Sequence, residues 1–75
     1  MIRYKIDVIK ALRQRGYDTP TIRNRKLLAQ STLTKLNQGL PVSGETLNTI
    51  CIMLRMQPGD IIEVIPTDEE KIKYF

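Results

Sequence analysis

The chain predicts a mostly all-α fold: a compact five-helix domain, with a small two-stranded sheet pairing its N- and C-terminal segments. Three observations carry this expectation. Apolar residues recur at helical spacing in successive short stretches, Gly, Pro and small hydroxyl residues punctuate the gaps between them, and strict alternation is confined to the start of the chain. At 75 residues the chain is one domain, because a polypeptide this short buries only about 60% of the surface that its unfolded form exposes.

Each element follows from its residues. Ile2, Tyr4 and Ile6 alternate with Arg3, Lys5 and Asp7, the period of a half-buried strand, which then needs a partner. From Ile6 the period lengthens: Ile6, Ile9 and Leu12, flanked by Val8 and Ala11, predict a first helix over 6–15 that stops at Gly16. Thr19 is placed to cap a second helix, with Pro20 at its first position, where the missing N–H costs nothing. That helix carries few apolar residues beside Arg23, Asn24, Arg25 and Lys26, and is expected to end near Lys26. The third, over 30–38, has a narrow stripe of Leu33 and Leu36, a polar remainder, and Gly39 as its stop. Ser43 caps a fourth, with Leu47, Ile50, Cys51 and Leu54 inward and Glu45 near its positive end. Gln57, Pro58, Gly59 and Asp60 break the chain, a single helical turn follows over 58–62, and residues 63–65 supply the strand that residues 2–5 require. The expected division is a domain over 1–66 and a C-terminal tail over 67–75, in which Ile72, Tyr74 and Phe75 either fray or serve association.

Composition excludes several functions. With no histidine and one cysteine, the chain lacks the commonest general base, a partner to activate Cys51 and the usual nitrogen and sulfur metal ligands, so neither an enzyme nor a metal or cofactor site is expected. Cys51 at an apolar helical position reads as a packed core thiol. No secretory signal and no membrane span are visible, which makes a cytoplasmic, reducing compartment the default.

The net charge of +4 is informative once it is located. Residues 8–43 carry Lys10, Arg13, Arg15, Arg23, Arg25, Lys26 and Lys35 against Asp18 alone, a net +6; from Gly44 onward the balance is −3. The basic stretch contains the second and third helices. Two short helices joined by a tight turn, the second with a polar face of Gln, Ser, Thr and Lys, form the arrangement that places a recognition helix in the DNA major groove. Gln can pair with an adenine edge, Lys can donate to guanine, and hydroxyls serve base or phosphate, while the helix's opening N–H groups suit a phosphate.

The segments LLAQSTLTKLNQGLPVSGETL and LNTICIMLRMQPGDIIEVI, within residues 6–65, resemble the phage repressor and Cro type of helix-turn-helix proteins, also called the xenobiotic-response-element (XRE) type. Small members of that family are five-helix bacterial or phage transcriptional regulators that bind double-stranded operators, often as homodimers. The resemblance places Ile22, Leu28, Leu33 and Leu36 at core positions of the motif. It places Gln30, Ser31, Thr34 and Lys35 at base-reading positions, and Thr19, Arg23, Arg25, Lys26, Thr32, Asn37 and Gln38 where the backbone is touched and the protein positioned. Three residues depart from the family pattern. Arg23 stands where a small residue lets the two helices approach, so it must reach outward or splay them. Leu27 stands where the turn often has glycine, and Ala29 replaces the hydroxyl cap of the recognition helix.

The expected function is therefore a sequence-specific, repressor-like DNA-binding regulator. The alternative is a helical protein-interaction module, such as an antitoxin or partner-binding domain, that meets a toxin or polymerase subunit through the third helix or the C-terminal aromatics.

Overall fold

The computed structural model describes residues 1–75. Strands β1 (Ile2–Tyr4) and β2 (Ile62–Val64) pair antiparallel with Ile2 opposite Val64, Arg3 opposite Glu63 and Tyr4 opposite Ile62. The expected pairing of the two ends forms, with the second strand beginning one residue earlier than its sequence suggested. Lys5 N–H to Ile61 O (2.8 Å) and Ile65 N–H to Met1 O (2.9 Å) extend the bonding beyond the ladder, and Arg3 Nε meets Glu63 Oε1 at 2.8 Å across it.

Between the strands run α1 (Val8–Gln14), α2 (Thr19–Asn24), α3 (Gln30–Gln38), α4 (Gly44–Leu54) and α5 (Pro58–Ile61); α6 (Asp68–Tyr74) follows β2. None of these helices is long and apolar enough to cross a membrane. The first helix is shorter than the 6–15 that periodicity suggested, because Asp7 caps it: its carboxylate accepts the Lys10 N–H at 3.1 Å and leaves Ile6 in the extended lead-in. Likewise Asp18, not Thr19, caps α2 by accepting the Thr21 N–H at 2.9 Å; Thr19 is the first helical residue and Pro20 the second. Hydrogen bonding from Thr21, with Arg13 adding its charge, holds the Asp18 carboxyl below its ordinary range. Ser43 caps α4 as expected, accepting the Thr46 N–H at 3.1 Å.

The core is a single cluster of Val8, Leu12, Ile22, Leu33, Leu36, Ile50, Leu54 and Ile61, at least one from each of α1 to α5. In α1 the deeply buried pair is Val8 and Leu12, an i, i+4 pair, while Ile6 and Ile9 pack only partly against the cluster. Leu28, Leu47 and Cys51, all expected inside, are half-buried. The Tyr4 hydroxyl donates to Leu40 O at 2.8 Å and so fastens the sheet to the loop after α3; partial burial raises its pKa.

Four helices close with a residue of positive φ. Gly16 (φ 87°) and Gly39 (φ 72°) adopt it freely, but Lys26 (φ 54°) and Arg55 (φ 56°) do so as residues with side chains. The strain expected at Leu27 thus falls one residue earlier: Lys26 N–H bonds Arg23 O at 3.2 Å and Leu27 N–H bonds Ile22 O at 3.0 Å, the paired closure that puts the left-handed residue at Lys26. Lys26→Gly is expected to stabilise the fold by about 0.5 kcal/mol, the relief of left-handed strain exceeding the added freedom of the unfolded chain. A urea midpoint at or below that of the parent would refute it.

Residues 67–75, between a frayed end and an association segment on sequence, hold the sixth helix, Asp68–Tyr74, and its two caps. Thr67 and Glu70 cap it reciprocally: Glu70 N–H donates to Thr67 Oγ1 at 3.2 Å and Thr67 N–H to Glu70 Oε1 at 3.0 Å. The Met1 ammonium lies 2.6 Å from the same oxygen, and it and the Thr67 N–H draw the Glu70 carboxyl down to about 2. Because this pKa is depressed on folding, the stabilisation is complete above the ordinary carboxylate value and is lost as pH falls through about 2. The α6 amides are therefore expected to lose their helical chemical shifts between pH 4.5 and about 2, ahead of the core, and Glu70→Gln to lose them already at pH 7. Shifts unchanged across that range would contradict the assignment. No residue of α6 is buried, and seven of the nine exposed large apolar side chains (Met1, Ile2, Val64, Ile65, Ile72, Tyr74 and Phe75) gather at this end.

Candidate nucleic-acid interface

Helix α3 turns Leu33 and Leu36 into the core, which fixes what faces outward. Ser31, Thr34, Lys35 and Gln38 lie opposite those leucines and are exposed; Gln30 and Asn37 are exposed on one flank, and Thr32 is half-buried on the other. The four candidate base-reading residues, Gln30, Ser31, Thr34 and Lys35, thus occupy the first two turns of one helix. The Thr34 hydroxyl donates to Gln30 O at 3.1 Å, leaving its oxygen as an acceptor.

The start of α3 lacks a side-chain cap, since Ala29 has nothing to offer. Ala29 O takes the N–H groups of Thr32 (3.1 Å) and Leu33 (3.2 Å), while those of Gln30 and Ser31 have no protein acceptor and point outward.

Arg23 resolves its departure from the family pattern by reaching outward. Its Nε donates to Gln30 Oε1 at 2.9 Å, bridging α2 to the first residue of α3. A guanidinium has only donors, so the atom of Gln30 that faces it is the carbonyl oxygen and the Gln30 amino group is turned away. Nothing in the sequence links these two residues, because a contact between residues seven apart on different helices leaves no periodic signal.

Around this helix stand the remaining candidates. Arg25 closes α2 and Lys26 follows it in the left-handed turn, both exposed. Thr19 is half-buried at the far end of α2, and Asn37 and Gln38 mark the last turn of α3. The chain's two ion pairs, Met1 with Glu70 and Arg3 with Glu63, lie outside residues 8–43, so none of the seven cations in that stretch is held in an ion pair, Arg13 acting on Asp18 only at longer range. A surface with that excess of unpaired positive charge attracts a polyanion.

No curated protein and no solved structure matches the chain. Residues 5–67, α1 through β2 and the lead-in to α6, match the family of the Cro/C1-type HTH DNA-binding domain. With two short helices joined at a left-handed turn, the second turning a polar face outward amid unpaired positive charge, the chain belongs to the Cro/C1-type helix-turn-helix family and is a DNA-binding regulator of transcription.

Proposed function

We propose that the chain is a repressor-like, sequence-specific regulator whose helix α3 enters the major groove of double-stranded DNA. The observation that carries this is the Arg23–Gln30 bridge at the opening of α3, which holds a base-reading side chain in place before any base arrives. Gln30, Ser31, Thr34 and Lys35 read base edges. Arg23, Arg25, Lys26, Thr19, Thr32, Asn37 and Gln38 position the protein on the backbone, together with the free N–H groups at the start of α3. Residues 1–66 act as the DNA-binding unit and 67–75 as an appendage to it, working in the cytoplasm. Two copies bind a near-palindromic operator with recognition helices about 34 Å apart.

The bridge also sets what Gln30 can read. Adenine offers an acceptor and a donor in the major groove and asks a glutamine for both its amino group and its oxygen; guanine offers two acceptors. With one lone pair of its oxygen taken and that oxygen turned toward Arg23, Gln30 directs its amino donors to the groove, and the reading shifts from adenine toward guanine.

Selection of binding sites from random duplex DNA tests this reading, and enrichment of no sequence would sink it. Arg25→Ala is expected to weaken binding to selected and unrelated DNA alike and to reduce the slope of log affinity against log salt by about one. A loss confined to the selected sequence would move Arg25 to the base-reading set.

The exposed apolar end favours a second activity beside this one. Ile72, Tyr74 and Phe75 on a helix with no buried residue are suited to a protein partner, whose binding, unlike that of DNA, would depend little on salt.

A further inference from the structure

Helix α4 buries Ile50 and Leu54 but leaves Ile52 on its outer side 69% exposed. Beside Ile52 runs an open groove lined by Gly44, Leu47, Asn48, Cys51, Met56 and Pro58. Gly44, Leu47, Asn48 and Cys51 are spaced i, i+3, i+4 and i+7, the four positions that form a hole for one side chain of a facing helix. Gly44 lies at one corner of that hole with open space beside it, since a Cβ built there meets nothing within 4 Å.

The knob and the hole belong to the same helix, and this determines the occupant. If a second α4 lies antiparallel across a two-fold axis so that its Ile52 enters this hole, symmetry places this chain's Ile52 in the partner's hole. The same register sets Glu45 of each copy opposite Arg55 of the other. Glu45, Asn48 and Ile52 form one stripe at i, i+3 and i+7 on α4 and Arg55 closes the helix just beyond it, so the acid stands at one end and the base at the other, with an ion partner within the chain for neither. A parallel pairing would oppose like charges. Shape and charge thus select the same antiparallel register, and no residue of α3 is used in it.

The geometry points to α4 as the self-association surface of this chain: an antiparallel α4 pair with reciprocal Ile52 knobs and two Glu45–Arg55 ion pairs. It rests on the two-copy reading proposed above and names the face that joins the copies.

Sedimentation equilibrium of the full chain at low salt tests it, with circular dichroism checking that each variant keeps its fold. Ile52→Glu places a charge in the partner's hole from an already exposed site and is expected to weaken the dimer by more than about tenfold. Glu45→Arg and Arg55→Glu are each expected to weaken it by about threefold or more, and the double variant, with the charges exchanged, to return to within about twofold of the parent. A parent dimer unaffected by Ile52→Glu, or a double variant no better than the singles, would overturn the α4 surface while leaving the two-copy reading intact. A parent that is monomeric when free and binds its selected DNA as one copy would overturn both.

Discussion

Leu54→Ala is expected to remove most of the stability of this domain. Leu54 is fully buried near the end of α4, the helix that packs against both α1 and α5, and α5 in turn carries the chain into β2. Truncating it takes away three carbons' worth of buried contact and leaves a cavity, which together cost about 2–5 kcal/mol. A domain of 75 residues has a total stability of only about 4–11 kcal/mol at the usual stability per residue. Nothing else compensates: the core is eight side chains, and the lone Cys51 makes no disulfide. With an urea dependence of about 1 kcal/mol per molar for so small a protein, the denaturation midpoint should fall by about 2 M or more. Ile52→Ala, on the same helix but exposed, should change stability by less than about 0.5 kcal/mol under conditions where the protein is monomeric. Equal losses in the two variants would mean that the core is not where the burial places it.

The contrast between those neighbouring positions shows what was legible in the sequence. Periodicity separated Ile50 and Leu54 from their surroundings, as it did Leu33 and Leu36, because burial on a helix face is a repeating constraint that composition records. The strand pairing was legible by a different route: a period of two marked the first strand, and its need for a partner pointed to the extended stretch after the Pro58 turn. Where two residues competed for one local role, the sequence could not choose between them. Asp18 and Thr19 are both good caps, and the choice of Asp18 places Pro20 second in α2 rather than first. The left-handed residue could have been Leu27 on the family pattern, yet Leu27 packs against the core, which leaves the strained conformation to exposed Lys26. The capping pair of Thr67 and Glu70 was present at the spacing that marks a helix start, and with it α6 was readable. For the candidate site, the outward face of α3 followed from its two leucines alone, whereas the Arg23 contact depends on how α2 and α3 cross and has no counterpart in spacing.

That contact leads to the largest expected effect on DNA. At the selected site, Gln30→Ala and Lys35→Ala should each cost about 1–3 kcal/mol, a factor of about 5 to 150 in affinity, and relax the preference for the base each one meets. Affinity for unrelated DNA should change much less for Gln30→Ala, which removes no charge, than for Lys35→Ala. Arg23→Ala is expected to do something that neither of these does. It removes the donor 2.9 Å from Gln30 Oε1 and so frees that oxygen to accept a hydrogen bond from a base. Gln30 then regains the donor and acceptor pair that fits adenine, and the base preferred at its position should change from guanine to adenine while the positions met by Lys35 keep theirs. Arg23→Lys keeps the positive charge without the planar fork and should lose the guanine preference while retaining most of the non-specific affinity. In a double-mutant cycle, Arg23 and Gln30 should couple by about 0.5–3 kcal/mol on DNA carrying guanine at that position, and weakly on DNA carrying adenine. If the guanine preference survives Arg23→Ala, or if the parent selects adenine there from the outset, the bridge does not set what Gln30 reads, and Arg23 is left with the backbone role alone.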